Sequence, residues 1–169
     1  MNDMLLVQEI RISVVWESEN YDLSALPVLL LYMAEDRCSI RDVEQVTALS
    51  RELIVNTVKE QSCFVMLDNE VLCLTDEGRE VVLLQRLVRW LTDPENYFFV
   101  ELTSGNVIQI LKKRELIVPS SDYDIPALDQ KIVDLDGFVT SREGNSIWKE
   151  HIKVLPEKIG SVYFRKVSA

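Results

Sequence analysis

Residues 72–80 read Leu72-Cys73-Leu74-Thr75-Asp76-Glu77-Gly78-Arg79-Glu80. The β-prone run ends at Thr75, whose hydroxyl is placed to cap a helix, and two acids follow in the first turn, where the helix dipole favours them. Gly78 has no Cβ, so the start of that helix can pack close to the preceding chain. Upstream, the apolar runs 64–67 and 71–74 flank Asp68-Asn69-Glu70, and a polar three-residue connection between such runs predicts a hairpin. The stretch therefore predicts strand, turn, strand, and then a helix over 76–91 carrying Val81, Leu84, Leu87, Val88 and Leu91 on its apolar side. Val82 and Leu83 widen that side, which implies burial by more than one neighbour: a second domain or a second copy of the chain.

Working back from the hairpin, three more helices are predicted. Leu23-Ser24-Ala25-Leu26-Pro27 opens the first, with proline in the first turn, where a missing N–H costs nothing. Leu26, Leu29, Leu30 and Met33 recur at helical spacing along it. Ser39 caps a second helix over 40–48, with Ile40, Val43 and Val46 sharing a face, and Leu49 is the hinge before a second cap, Ser50. The third helix spans 51–61 with Ile54 and Val58 inward. Before all of these, Ile10, Ile12, Val14 and Trp16 alternate with Arg11, Ser13 and Val15, the period of a half-buried strand.

The order helix, helix, turn, helix, two-stranded hairpin, helix over 25–91 resembles the winged helix-turn-helix family. Residues 72–80 look like the "LT-x-x-GR" signature at which the second wing strand hands over to a helix. Ile40-Arg41-Asp42-Val43 through Ala48-Leu49-Ser50 is similar to the helix–turn–helix itself. The resemblance implies that residues 51–61 form the recognition helix. With Ile54 and Val58 inward, Arg51, Glu52, Val55, Asn56 and Lys59 face outward, at the positions that touch bases and phosphates in DNA-reading relatives.

Charge argues against that use. The chain carries 18 basic and 28 acidic residues, net −10. Residues 1–92 hold 8 of the basic and 16 of the acidic side chains, so the half with the motif is the more acidic. On the third helix Arg51 and Lys59 are offset by Glu52 and Glu60, and the hairpin tip, basic in many DNA binders, is Asp68-Asn69-Glu70. Phosphate binding requires several cations that release counterions. The one cationic run is Lys112-Lys113-Arg114, which reads as a basic patch or as favourable charge at a helix C-terminus.

Beyond Asp93-Pro94, where the residue before proline leaves the α region, the pattern is weaker. Residues 97–102 read as a strand or a helix end, 104–116 as a helix capped by Ser104, and 119–126 as a loop. Short elements are expected over 132–139, 147–154 and 161–167, and 162–167 is a candidate to pair with strand 10–16. Trp90, Tyr97, Phe98 and Phe99 read as core or as a partner interface.

Chemistry-bearing motifs are sparse. Cys38, Cys63 and Cys73 show no CxxC spacing, His151 stands alone, and GxSxG, GxGxxG, P-loop and HExxH patterns are absent. The cysteines read as small apolar residues, and Asp134/Asp136 as a carboxylate pair for a hard cation or as one solvated strand face. No apolar run approaches the roughly 20 residues of a membrane span, and no basic start precedes an apolar segment.

The expectation is an α+β protein with a lead-in strand over 1–22, a winged helix over 23–92 and a small mixed α/β region over 93–169. It is expected to be cytoplasmic and non-enzymatic, without cofactor, metal or membrane. Its expected role is as an acidic docking subunit of a larger complex, with a complex acting on DNA as one candidate, with basic-surfaced protein partners and a homodimer among the candidate assemblies. The alternative is a dimeric DNA-binding transcriptional regulator that uses residues 51–61. An enzyme subunit with its chemistry in 93–169 is a third reading.

Overall fold

The computed structural model describes residues 4–111 and 115–166, and its elements make an α+β chain. It divides into two compact units: residues 18–88, and residues 1–17 together with 89–169. The boundaries read from the sequence are corrected accordingly. The N-terminal strand is not a lead-in to the helices, because it pairs with strands from the far end of the chain.

In the unit of residues 18–88, α1 (Ala25–Glu35), α2 (Ile40–Thr47) and α3 (Arg51–Glu60) precede a hairpin of β2 (Val65–Asp68) and β3 (Val71–Leu74), followed by α4 (Asp76–Thr92). The caps lie where the hydroxyls predict them. Ser39 and Asp42 form a reciprocal capping box on α2, and Ser50 Oγ accepts from the Leu53 N–H at the start of α3. The buried face of α1 is Pro27, Leu30, Leu31 and Ala34, whereas Leu29 is exposed; the expected Leu26/Leu29 face is thus rotated. Val46 is exposed and does not share the burial of Ile40 and Val43. The hairpin turn has two residues, Asn69 and Glu70, both at positive φ (49° and 65°). That is the sense of turn whose twist matches paired strands. On its other side β3 meets the chain before α2, where Ser39 bridges Val71 and the Leu72 N–H donates to the Cys38 carbonyl.

The hairpin closes onto α4 as the sequence suggests. Thr75 Oγ1 donates to the Cys63 carbonyl and accepts from the Gly78 N–H, while the Thr75 N–H donates to the Phe64 carbonyl. A Cβ on Gly78 would lie 2.0 Å from the Phe64 oxygen. Tyr21 is buried edge-on to Phe64, and its hydroxyl donates to Glu77. Burial first, then the nearby Glu80 and Glu77 carboxylates, push the Tyr21 phenol up to about 12.

The other unit is built on an antiparallel sheet in the order β5-β4-β1-β6, from β1 (Met4–Trp16), β4 (Phe98–Glu101), β5 (Val107–Gln109) and β6 (Ile152–Lys166). Two readings are corrected here. Residues 104–116 do not begin a helix: Gly105 at φ +76° turns the chain, and Val107 and Ile108 pair back on β4. The separate elements expected over 147–154 and 161–167 are largely one strand, whose register with β1 shifts near Gly160 and Glu157. The chain ends do pair, but Ile10–Trp16 lies against 152–159 and not 162–167, whose described part, 162–166, pairs with residues 4–8.

Both faces of this sheet are apolar. Ile10 and Phe98 share one face, where Phe98 meets Trp90 and Phe138, the latter from α5 (Leu135–Glu143). Val7 and Phe99 share the other, with Ile110, Tyr163 and Leu116 against them. Phe98 and Phe99 are therefore core, while Trp90 and Tyr97 are half-buried, with the Arg142 guanidinium 3.7 Å above the Trp90 ring. Asp134 and Asp136 are not on a strand: Asp134 caps α5, and Asp136 pairs with Lys149 at 3.3 Å.

Two outcomes check this packing. Gly78→Ala is expected to lower unfolding free energy by about 2–3 kcal/mol in urea, since the atoms the methyl meets first are the Phe64 backbone. Gly144→Ala, where nothing lies within 4 Å but φ is +77°, should cost about 1 kcal/mol. The phenol of Tyr21 gives a pH test. Its pKa is raised on folding, so its stabilisation is fully present below pH 10 and is lost as pH climbs through about 12. Tyr21→Phe should flatten the fall in thermal midpoint between those pH values; an unchanged slope would contradict the assignment.

Candidate functional site

The residues singled out on α3 reach the surface as the spacing predicts. Ile54 and Val58 are buried, Arg51, Glu52, Asn56 and Lys59 are exposed, and Val55 is half-buried. Thr57, also buried, donates its hydroxyl to the Leu53 carbonyl one turn back. Helical spacing alone could not separate this buried hydroxyl from a surface one.

The sequence did not reveal the partners of Arg51. Its guanidinium donates to the Glu70 carboxylate at the hairpin turn and lies 3.7 Å from Glu44 on α2. The cation at the start of α3 is thus held between two acids from neighbouring elements. Glu70 sits in left-handed backbone, where glycine is the favoured residue. A glutamate at a glycine-favoured turn position was the available signal, and its counterpart was unreadable before the hairpin and α3 were placed together.

With Arg51 engaged, Lys59 is the remaining cation of the five singled-out residues, beside Glu52 and Glu60 on the same helix. Exposed apolar groups lie on the same set of elements: Val46 on α2, Leu53 on α3 and Met66 on β2. The basic run Lys112-Lys113-Arg114 lies outside the described residues. Among the described residues no His/Cys/Asp/Glu group could hold a metal ion, and no helix is long and apolar enough to cross a membrane. Of the three thiols, Cys63 is exposed, which corrects its reading as a small apolar residue, while Cys38 and Cys73 are half-buried.

Exposed ion pairs contribute little, whereas an N-cap contributes about 1 kcal/mol. Arg51→Ala is therefore expected to leave the urea midpoint nearly unchanged, and Ser39→Ala to lower stability by about 1 kcal/mol. A large loss from Arg51→Ala would mean that the pair is structural and not part of a surface.

No family model matches the chain, and neither the curated proteins nor the solved structures provide a match.

Proposed function

We propose that residues 18–88 form a winged helix that works as a protein-docking module, an acidic subunit of a larger assembly whose partner presents a basic surface. The single observation that carries this reading is the engagement of Arg51 by Glu44 and Glu70. The element order supports the family resemblance: three helices, a two-stranded hairpin, and a helix capped at Thr75 and packed through Gly78. The charge on the α3 face then opposes groove binding. Each phosphate contact draws its free energy from a cation that displaces counterions, and here the leading cation already has two carboxylates. A partner with its own cations gains from the same acids, which steer its approach. The exposed Val46, Leu53 and Met66 supply the apolar area that charge alone lacks.

Titration with random-sequence duplex at low salt separates this from the regulator that would read DNA through residues 51–61. Dissociation constants weaker than about 10 µM are expected, against the roughly micromolar or tighter non-specific binding that a groove-binding face with free cations gives at low salt. Glu44→Gln with Glu70→Gly, which frees Arg51 and removes two negative charges, should tighten duplex binding. Sub-micromolar affinity in the unaltered chain, weakened by Arg51→Ala and by Lys59→Ala, would overturn the docking reading in favour of the regulator. A partner purified with the tagged chain from its host and lost on Glu52→Lys would support docking.

A further inference from the structure

The unit of residues 18–88 contains an open cleft of about 270 Å³, lined from α1, β3 and α4 and sharing no residue with the α3 face. Ala34, Leu74 and Leu83 give it an apolar lining, and Leu83 is 64% exposed although it is a leucine on a helix. Two guanidinium-bearing residues, Arg37 and Arg79, line the same cleft. So does Glu35, but its charge is already met: Arg86 bonds both of its oxygens and holds the carboxyl below the usual carboxylate range. Among the described residues, the acid paired with Arg79 is Asp76, three residues back on its own helix and fully exposed, a weak and solvent-screened arrangement.

Arg37 is the unusual member. It follows the C-cap of α1, its N–H donates to the Ala34 carbonyl, and the next N–H, of Cys38, reaches the Met33 carbonyl. This is the helix-ending motif that glycine fills best, yet an arginine occupies it at φ +53°. No carboxylate pairs with Arg37 among the described residues. A residue held in left-handed backbone where another would fit better points to a use for its side chain.

We propose that this cleft binds a small organic anion, a carboxylate held by Arg37 and Arg79 with its short apolar body over Ala34, Leu74 and Leu83. Arginine's fork matches a carboxylate at two points, and the apolar lining favours an acid with a hydrocarbon tail over inorganic phosphate. Cys73 also lines the cleft and serves as a reporter, with the exposed Cys63 as reference in the same chain.

The full chain is alkylated with iodoacetate, an anion, and in parallel with neutral iodoacetamide, and each cysteine is read by peptide mass spectrometry. The iodoacetate-to-iodoacetamide rate ratio is expected to be about five- to tenfold higher at Cys73 than at Cys63, the enrichment a local positive field provides. Hexanoate in the millimolar range should slow labelling of Cys73 but not of Cys63, and inorganic phosphate should do neither. Arg37→Gly, which suits the backbone it replaces, should melt no lower than the unaltered chain and lose both effects; Arg79→Gln should lose most of each. Equal ratios at the two cysteines, or hexanoate protection that survives Arg37→Gly, would overturn the proposal. If Cys73 reacts with neither reagent, an NMR titration with hexanoate decides. Saturable shifts at the amides of Ala34, Cys73 and Leu83 support the site, and their absence refutes it.

Discussion

The contact on which the helical unit depends is the approach of Gly78 to the Phe64 carbonyl. Thr75 makes it possible by using its side chain twice, as donor to the Cys63 carbonyl and as acceptor for the Gly78 N–H, while its own N–H goes to the Phe64 oxygen. Two of these hydrogen bonds tie Thr75 to the residues that join α3 to β2, and the third caps the first turn of α4 on it. Any side chain at position 78 would push these elements apart, because the atom it meets is backbone and has no rotamer to yield. The hairpin carries Glu70 at its turn, so the same contact also fixes where the acid that engages Arg51 can stand.

That coupling explains why the fold of this unit was more legible than its site. Ser39, Ser50 and Thr75 announce helix starts through local chemistry, since a hydroxyl one residue before an apolar period satisfies N–H groups a few residues away. Gly78 announces a close approach in the same local way. The pairing of Arg51 with Glu44 and Glu70 spans 7 and 19 positions and depends on how α2, α3 and the hairpin meet. Counting charges on α3 alone predicted a neutral face; the structure makes it more nearly negative for a ligand, because one of its two cations is already engaged. Val46 shows the limit of periodicity from the other side: its spacing from Ile40 and Val43 is helical, but α2 ends one residue later and nothing covers it.

The second half was less legible for a different reason. Its sheet joins β1 to β6 across 136 to 162 positions, and no local signal selects a partner at that distance. Residues 104–116 show the competition clearly. Ser104 is a reasonable cap and a basic run follows, so the helical reading was consistent within its window. Gly105-Asn106 is equally a turn, and once Phe98–Glu101 is a strand of the sheet, pairing Val107–Gln109 back onto it satisfies backbone groups that a helix start would leave to other partners. In β6 the register shifts near Glu157 and Gly160 let one strand follow β1 along nearly its whole length, where composition suggested breaks.

The left-handed residues join these observations. Among the described residues, the non-glycine positions at positive φ are Arg37, Ala48, Asn69 and Glu70, all within 18–88. Asparagine tolerates this backbone well, and Ala48 simply ends α2. Arg37 and Glu70 are the two long charged chains among them, each at a position that glycine would fill at lower cost, about 1 kcal/mol for each. Folding alone gives no reason for either choice, because an exposed charge returns at most a similar amount. Glu70 has a visible use in engaging Arg51. Arg37, in the same kind of backbone and lining an apolar cleft, is the cation of this unit whose use is supplied by a ligand.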